Sequence, residues 1–483
     1  MNTTTRLGLV RQDAALRIAR PELRAILTSV GVLGLAAYGV LCWRIVEASF
    51  VQPRLLVPSA HRHFPLWMRG VLRANGSPLP FHDFLNVLVA LTMLYVVIVV
   101  CARAIPALIG LGAVAALTVL FTLAPPLLST DVFNYIAYSR AAQLHGLNPY
   151  VHGPAALPND PVYPFVGHLW NHVPSAYGPL FTLLTYELEP LGIHGELWAL
   201  KAIAGAACIG CVALVWLCAK RLEVPAVPAA LFFGLNPLVL VWGVGGAHND
   251  MVMTFALLLG LYLLLSRRPA LGGAALTVAT AVKLTAGLAL PFAIVGVRPR
   301  WRVAAGALMA AGVGLAITYA EFGSRIRGML DALRFQGSLH FVGANVPGYV
   351  GYLLGHPTAG YVHPHILTEL VVVGSALLLL RTVLQRSWLE STGWALLLLL
   401  VTASWILPWY VVWALPMAAL ARRPWLRAGA VALTGVLVAM QISHLALIHD
   451  HHHRHRHHHH RHHHALVHHH TAHGPRFAVR TGG

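Results

Sequence analysis

The chain has 483 residues, 57% of them hydrophobic and only 10% charged, with a mean hydropathy of +0.66. Soluble domains carry about 25% charged residues, and the apolar residues here come in long runs. Soluble enzymes, fibrous proteins and disordered chains are excluded, which leaves an all-α polytopic membrane protein. The 34 basic and 16 acidic residues give a net charge of +18. The cations sit in short clusters between apolar runs, as the positive-inside rule has it, so no nucleic-acid partner is expected.

Residues 1–25 are polar and basic (Arg6, Arg11, Arg17, Arg20, Arg24), lack a signal-peptide cleavage pattern and are expected in the cytoplasm. A transmembrane domain is expected over 26–447. Its first apolar runs lie at about 26–46, 84–102 and 104–124, with Arg103 in a tight cytoplasmic turn between the second and third. By parity the polar interruption at about 125–175, dense in Pro, Asn, His and Tyr, is extracytoplasmic. A loop beyond about 15 residues in a compact protein is usually functional or disordered, and the aromatic density argues against disorder.

Residues 176–192 are broken by Pro179, Glu187, Glu189 and Pro190 and are not expected to cross fully. Spans follow at 197–219, 226–244 and 251–266. The run 270–297 has Lys283 at its middle and basic residues at both ends, which predicts two short helices meeting near the outer surface. Such a break is tolerated where it lines a cavity. A span at 303–320, a second external loop at about 322–364 and a span at 365–385 come next. A run at 392–421 broken at Pro408-Trp409-Tyr410 and a last span at about 425–447 bring the total to about eleven to thirteen crossings. The tail 448–483 holds an Arg-interrupted histidine tract and is expected to be disordered; adventitious zinc or nickel binding is the alternative. The five cysteines fall in apolar segments, and Cys208 and Cys211 read as small packing residues rather than metal ligands or a disulfide.

Two acids stand where apolar runs meet polar knots. Asp131 opens a stretch with Ser129 or Thr130 as N-cap and Gly146 as stop, predicting a helix of about fifteen residues. On it Asp131, Asn134, Tyr135 and Tyr138 recur at i, i+3, i+4 and i+7 and share a face. A carboxylate, an amide and two phenols on one stripe suit sugar binding; the alternative is a capping Asp with an interfacial tyrosine belt. The other acid, Asp250, closes Gly243-Val-Gly-Gly-Ala-His-Asn-Asp at a helix N-terminus suited to anions, where Asn249 or Asp250 could equally be a cap and His248 a donor to phosphate or hydroxyl. Lys283 has no acid within fifteen residues, and an ammonium in an apolar segment costs about 2.5–3.5 kcal/mol unless paired or hydrated. It reads as a counter-charge for a phosphate, with snorkelling as the alternative. Trp405, Pro408, Trp409, Tyr410 and Trp413 form an aromatic knot that suits either substrate contact or interface anchoring.

These knots occur in a recognisable order: Asp131-Val-Phe-Asn-Tyr-Ile-Ala-Tyr-Ser-Arg140, His145-Gly-Leu-Asn-Pro-Tyr150, Ala176-Tyr-Gly-Pro179, Asn236-Pro-Leu, Gly243 to Asp250, Val282-Lys-Leu-Thr285 with Leu290-Pro291, and Pro408-Trp-Tyr410. Over about 125–420 the chain resembles the actinobacterial polyprenol-phosphate-mannose-dependent α-1,6-mannosyltransferases, integral-membrane glycosyltransferases of the GT-C class. The resemblance implies a GT-C-like bundle in the plasma membrane with its site on the extracytoplasmic side. It further implies a lipid-linked sugar donor, a glycolipid or oligosaccharide acceptor of mannan or lipomannan type, membrane lipid around both, and inverting transfer with Asp131 as base. Lys283, with His248 and Arg140, would hold the donor phosphate; Asn134, Tyr135, Tyr138, Tyr177, Asn249, Asp250, Trp409 and Tyr410 would contact sugar or acceptor. No cofactor and no metal ligands are expected, although the broader class, with paired acids, leaves a divalent cation open; here Thr130 and Val132 flank Asp131. The competing readings are a transporter or flippase, and an enzyme of the same class using another lipid-linked sugar.

Overall fold

The computed structural model describes residues 21–51, 53–60, 63–72, 76–338, 345–355, 364–385 and 387–442. Among the described residues all regular structure is helical. The helices are α1 (Pro21–Val51), α2 (Phe81–Cys101), α3 (Ala107–Leu123), α4 (Asp131–His145), α5 (Pro179–Leu188), α6 (Gly192–Leu222), α7 (Ala226–Gly234), α8 (Asp250–Leu265) and α9 (Pro269–Val282). They continue with α10 (Ala289–Gly296), α11 (Arg300–Phe322), α12 (Arg327–Ser338), α13 (Val346–Leu353), α14 (Pro364–Gln385), α15 (Trp388–Thr402), α16 (Leu415–Leu420) and a last helix, α17 (Pro424–Ile442). The main body runs through Val438. Most of the basic N-terminal stretch and the whole histidine-rich tail lie outside the described residues.

Among the described residues six stretches are long and apolar enough to cross a membrane: Pro21–Val51, Phe81–Cys101, Pro179–Leu222, Arg300–Phe335, Ile366–Gln385 and Pro424–Ile442. A seventh is the bent pair Ala226–Gly234 and Leu238–Val244, and six shorter apolar helices accompany them. Against the expected eleven to thirteen crossings, the described residues thus hold six, or seven with the bent pair, that are long and apolar enough to span. The second external loop, expected at 322–364 with short juxtamembrane helices, carries the short helices α12 and α13.

The breaks are paid in hydrogen bonds, because backbone groups freed inside an apolar bundle need protein partners. At Asn236-Pro237, α7 gives way to a wide-turned segment over Leu238–Val244. The buried Tyr95 and Tyr38 hydroxyls donate to the carbonyls of Phe232 (2.7 Å) and Leu235 (2.8 Å). Asn236 Oδ1 accepts the Leu238 N–H at 3.0 Å, and its amide donates to Thr434 Oγ1 at 3.0 Å.

Elsewhere small residues let backbones touch, as is common between helices in lipid. A Cβ on Gly306 of α11 would stand 1.9 Å from the Ala270 carbonyl of α9, and one on Gly273 would stand 2.1 Å from the Val303 carbonyl. Gly312, on the same α11, faces open space. Gly306→Ala should therefore destabilise the purified protein by about 1–3 kcal/mol through overpacking. Gly312→Ala should leave thermal stability unchanged or raise it. Thermal unfolding in one detergent tests both.

Candidate active site

Helix α4 forms as its sequence requires. Gly146 stops it in the left-handed region (φ 62°), and the Gly146 and Leu147 N–H groups bond back to Ala142 and Ala141. Thr130 occupies the capping position without a side-chain bond; instead Ser129 Oγ accepts the Asp131 N–H at 3.1 Å. Asp131 thus projects from the first turn, outside the apolar spans.

Opposite it the chain breaks at Lys283, whose extended backbone (φ −153°, ψ 123°) separates α9 from the turn Leu284–Leu288. Gly178 seats the loop before α5 on this break. Its N–H donates to the Val282 carbonyl at 3.1 Å, and a Cβ there would lie 2.2 Å from the Ala281 carbonyl. Tyr177 is held beside Lys283 as a result. The segment Pro408–Trp413 winds as a 3-10 helix, in which residues three apart eclipse. Tyr410 and Trp413 stack accordingly, with centroids 4.4 Å apart.

These elements enclose a cavity of about 340 Å³ whose lining includes Asp131, Asn134, Tyr138, Tyr177, Lys283 and Tyr410. One carboxylate and one ammonium, 152 residues apart in sequence (283 − 131), thus share a hollow. Burial is the main cause that lifts the Asp131 carboxyl to about 6; Lys283 lowers it, Asp250 raises it, and Ser129 and Tyr177 lower it by hydrogen bonding.

Lys283 has a partner that local sequence did not offer. Its Nζ donates to both oxygens of Asp250, at 2.7 and 2.9 Å, and lies over the rings of Tyr410 (4.6 Å) and Trp413 (5.2 Å). Trp413 Nε1–H donates to Asp250 Oδ1 at 2.5 Å. Asp250 is fully buried and lies behind the cavity lining. Its carboxylate is engaged by Lys283 and Trp413.

Other expected site residues are distributed differently. His248 lies behind Asp131, its Nδ1 3.6 Å from Asp131 Oδ2, and is stacked on Trp409. Neither His248 nor Trp409 lines the cavity. Tyr135 packs beneath the surface against Tyr177 and Phe181, and its hydroxyl accepts the Asn249 N–H at 3.4 Å. Asn249 is buried, with no hydrogen bond to its side-chain amide among the described residues. Arg140 points elsewhere: Asp160 accepts from its Nε at 3.0 and 3.1 Å, and Glu189 from its Nη1 at 3.4 Å. Arg140 does not line the cavity that holds Asp131 and Lys283. Burial opposes ionisation of Asp160, but Arg140, the Val162 N–H and His145 outweigh it and hold the carboxyl below its ordinary range.

Sequence reasoning gave no site role to Trp170 and Thr285, which line the cavity; Trp405 and Trp413, which it placed in the aromatic knot, line it too. It also missed Lys201 of α6, a fully buried ammonium that donates to the carbonyls of Gly245 (2.8 Å), Phe121 (3.0 Å) and Pro125 (3.5 Å). Lys201 pins the points from which the Asp131 loop and the His248–Asp250 knot depart. Among the described residues no group of three or more His, Cys, Asp or Glu side chains is placed to hold a metal ion.

Residues 84–298 match the family model described as "Alpha-(1->6)-mannopyranosyltransferase, N-terminal domain". The chain is 31% identical over 338 residues to alpha-(1->6)-mannopyranosyltransferase A of Mycobacterium tuberculosis, covering 62% of this chain and 64% of that protein. The chain is a relative of these mannopyranosyltransferases. It is 30% identical over 372 residues to a probable alpha-(1->6)-mannopyranosyltransferase of Mycolicibacterium smegmatis (66% of each chain). With alpha-(1->6)-mannopyranosyltransferase B of Corynebacterium glutamicum it shares 24% over 360 residues, 64% of this chain and 58% of that one. The chain thus spans just under two thirds of the first of these relatives. No solved structure matches. The matched segment 84–298 contains Asp131, His248, Asp250 and Lys283 and ends before the Tyr410–Trp413 wall.

Breaking a buried ion pair by removing one partner costs about 3–5 kcal/mol, because the other charge is stranded. Asp250→Asn and Lys283→Met should each destabilise the protein by about 3 kcal/mol, and the double variant by clearly less than their sum. Equilibrium unfolding of the four proteins gives that cycle.

Proposed function

We propose that this protein is a membrane mannosyltransferase. It transfers mannose from polyprenyl-phosphate-mannose to a hydroxyl of a mannan- or lipomannan-type glycolipid in α-1,6 linkage. Transfer is inverting, on the extracytoplasmic side, with Asp131 as base. The observation that carries the reading is the single cavity that Asp131 and Lys283 both line, walled by phenol and indole rings. The similarity to alpha-(1->6)-mannopyranosyltransferases supports the sugar and the linkage.

In this reading the acceptor hydroxyl oxygen attacks the anomeric carbon of a β-linked mannosyl phosphate. The new C–O bond forms on the face opposite the departing phosphate, whose C–O bond breaks with its electron pair. The hydroxyl proton passes to Asp131. Negative charge grows on polyprenyl phosphate as it leaves, and Lys283 is the cation in the cavity wall that meets it. Asp250 and Trp413 fix that ammonium, so it need not reorganise as charge develops. Thr285, whose hydroxyl has no hydrogen-bond partner among the described residues, adds a neutral donor on the same wall. Asn134, Tyr138 and Tyr177 offer hydrogen bonds and ring faces to sugar.

A base must be ionised to act, so transfer should rise with pH through the Asp131 value of about 6 and level off above it. Asp131→Asn should reduce turnover by about 10²–10⁴-fold while donor binding stays within about two-fold. Radiolabelled transfer to a short α-mannoside, with donor binding measured in parallel, tests this; undiminished turnover in Asp131→Asn removes the reading.

A further inference from the structure

His248 is fully buried, and neither ring nitrogen has a hydrogen-bond partner among the described residues. The imidazole lies flat on the Trp409 indole, centroids 3.6 Å apart and planes 17° from parallel. Its backbone is fixed at both ends: the N–H donates to the Gly243 carbonyl at 3.0 Å, and its carbonyl accepts the Met251 N–H at 3.1 Å. Ala247 before it takes a left-handed conformation (φ 57°), and a Cβ on Gly246 would press to 2.8 Å from Nε2. The ring is therefore held edge-on with Nδ1 toward Asp131 Oδ2, at 3.6 Å. Catalytic hydrogen bonds are often long in the unliganded state and tighten once substrate is bound.

We infer that His248 is the positioning residue of Asp131: a neutral imidazole whose Nδ1–H is aimed at one carboxylate oxygen and leaves the other free to face the acceptor hydroxyl. This rests on the mannosyl-transfer reading above. During transfer His248 keeps its own proton. The acceptor proton moves only to Asp131 and leaves from there to water once the product departs. Burial, with Lys283 in support, keeps His248 well below its ordinary value and so uncharged. Around Asp131 stand Lys283 and Asp250 on the opposite wall, Tyr177 and Tyr410 beside it, and Ser129, Tyr135 and Tyr138 on its own segment. Among these His248 is the neutral nitrogen donor, so its removal has a signature of its own.

The test uses the full chain in lipid nanodiscs with polyprenyl-phosphate-mannose and a short α-mannoside, over about pH 5 to 8. His248→Phe keeps a ring on Trp409 and removes the donor; His248→Asn restores an N–H near the Nδ1 position, whereas His248→Gln reaches toward Nε2. His248→Phe should move the acid limb up by about one pH unit and cut kcat by about 10–100-fold, with donor KM within about two-fold. His248→Asn should bring the limb back, and His248→Gln should not. If His248→Phe does not fold, the Asn and Gln pair decides alone. A wild-type limb and kcat in His248→Phe, or equal behaviour of Asn and Gln, overturns the inference. So does a raised donor KM at constant kcat, which would put His248 on the phosphate instead. Infrared titration of the Asp131 carboxyl, identified by difference from Asp131→Asn, reads the contact without any turnover. It should shift upward in His248→Phe even if the mannosyl-transfer reading fails, and an unmoved titration overturns the dyad while leaving that reading intact.

Discussion

Backbone carbonyls and N–H groups released within an apolar bundle must find partners inside the protein, and that constraint builds this site. Key cavity-lining residues stand where a helix stops short, before Asp131, at Lys283 and at Pro408, and a further break lies at Asn236-Pro237. Each stop frees polar backbone; distant side chains answer it at Asn236-Pro237 and at the end of α3, and the Gly178 N–H answers it at Val282. Tyr38 and Tyr95 serve the break at Asn236-Pro237. Lys201 gathers carbonyls from the end of α3 and from Gly245, where the favourable end of a helix dipole for a cation adds to the hydrogen bonds. A polar hollow is thus obtained with most of its walls internally satisfied.

The charges follow the same logic. Burying an ammonium is costly unless it is paired, and Asp250 pairs Lys283 while Trp413 occupies one oxygen of that carboxylate. What remains open to the cavity is Asp131, which has a histidine behind it rather than a cation. Burial and the second carboxylate raise its proton affinity, and Lys283 limits the rise. A carboxyl that titrates near neutrality is the kind of group that can take and return a proton under physiological conditions.

Local signals in the chain proved readable. The Ser129–Gly146 stretch forms the fifteen-residue helix that its cap and stop residues predict, since both depend on a few neighbouring dihedrals. The breaks at Lys283 and Pro408 were likewise visible as a charge and a proline within apolar runs. Tertiary partners were not visible. Asp250 and Lys283 are 33 residues apart, and the Arg140 guanidinium is claimed by Asp160 across a loop whose path no periodicity encodes. Helical spacing put Tyr135 and Tyr138 on one stripe, but only packing decides that Tyr138 meets the cavity while Tyr135 lies under Tyr177. The lengths of the crossings were also underdetermined, because short broken helices and full spans have the same composition.

The most direct test of the central claim is a mass balance on the purified protein in nanodiscs, given polyprenyl-phosphate-mannose and a short α-mannoside. The account predicts one new α-1,6-linked mannose for every polyprenyl phosphate released. Donor moved across the bilayer with its mannose still attached, and no elongated mannoside, would contradict it and favour a transporter.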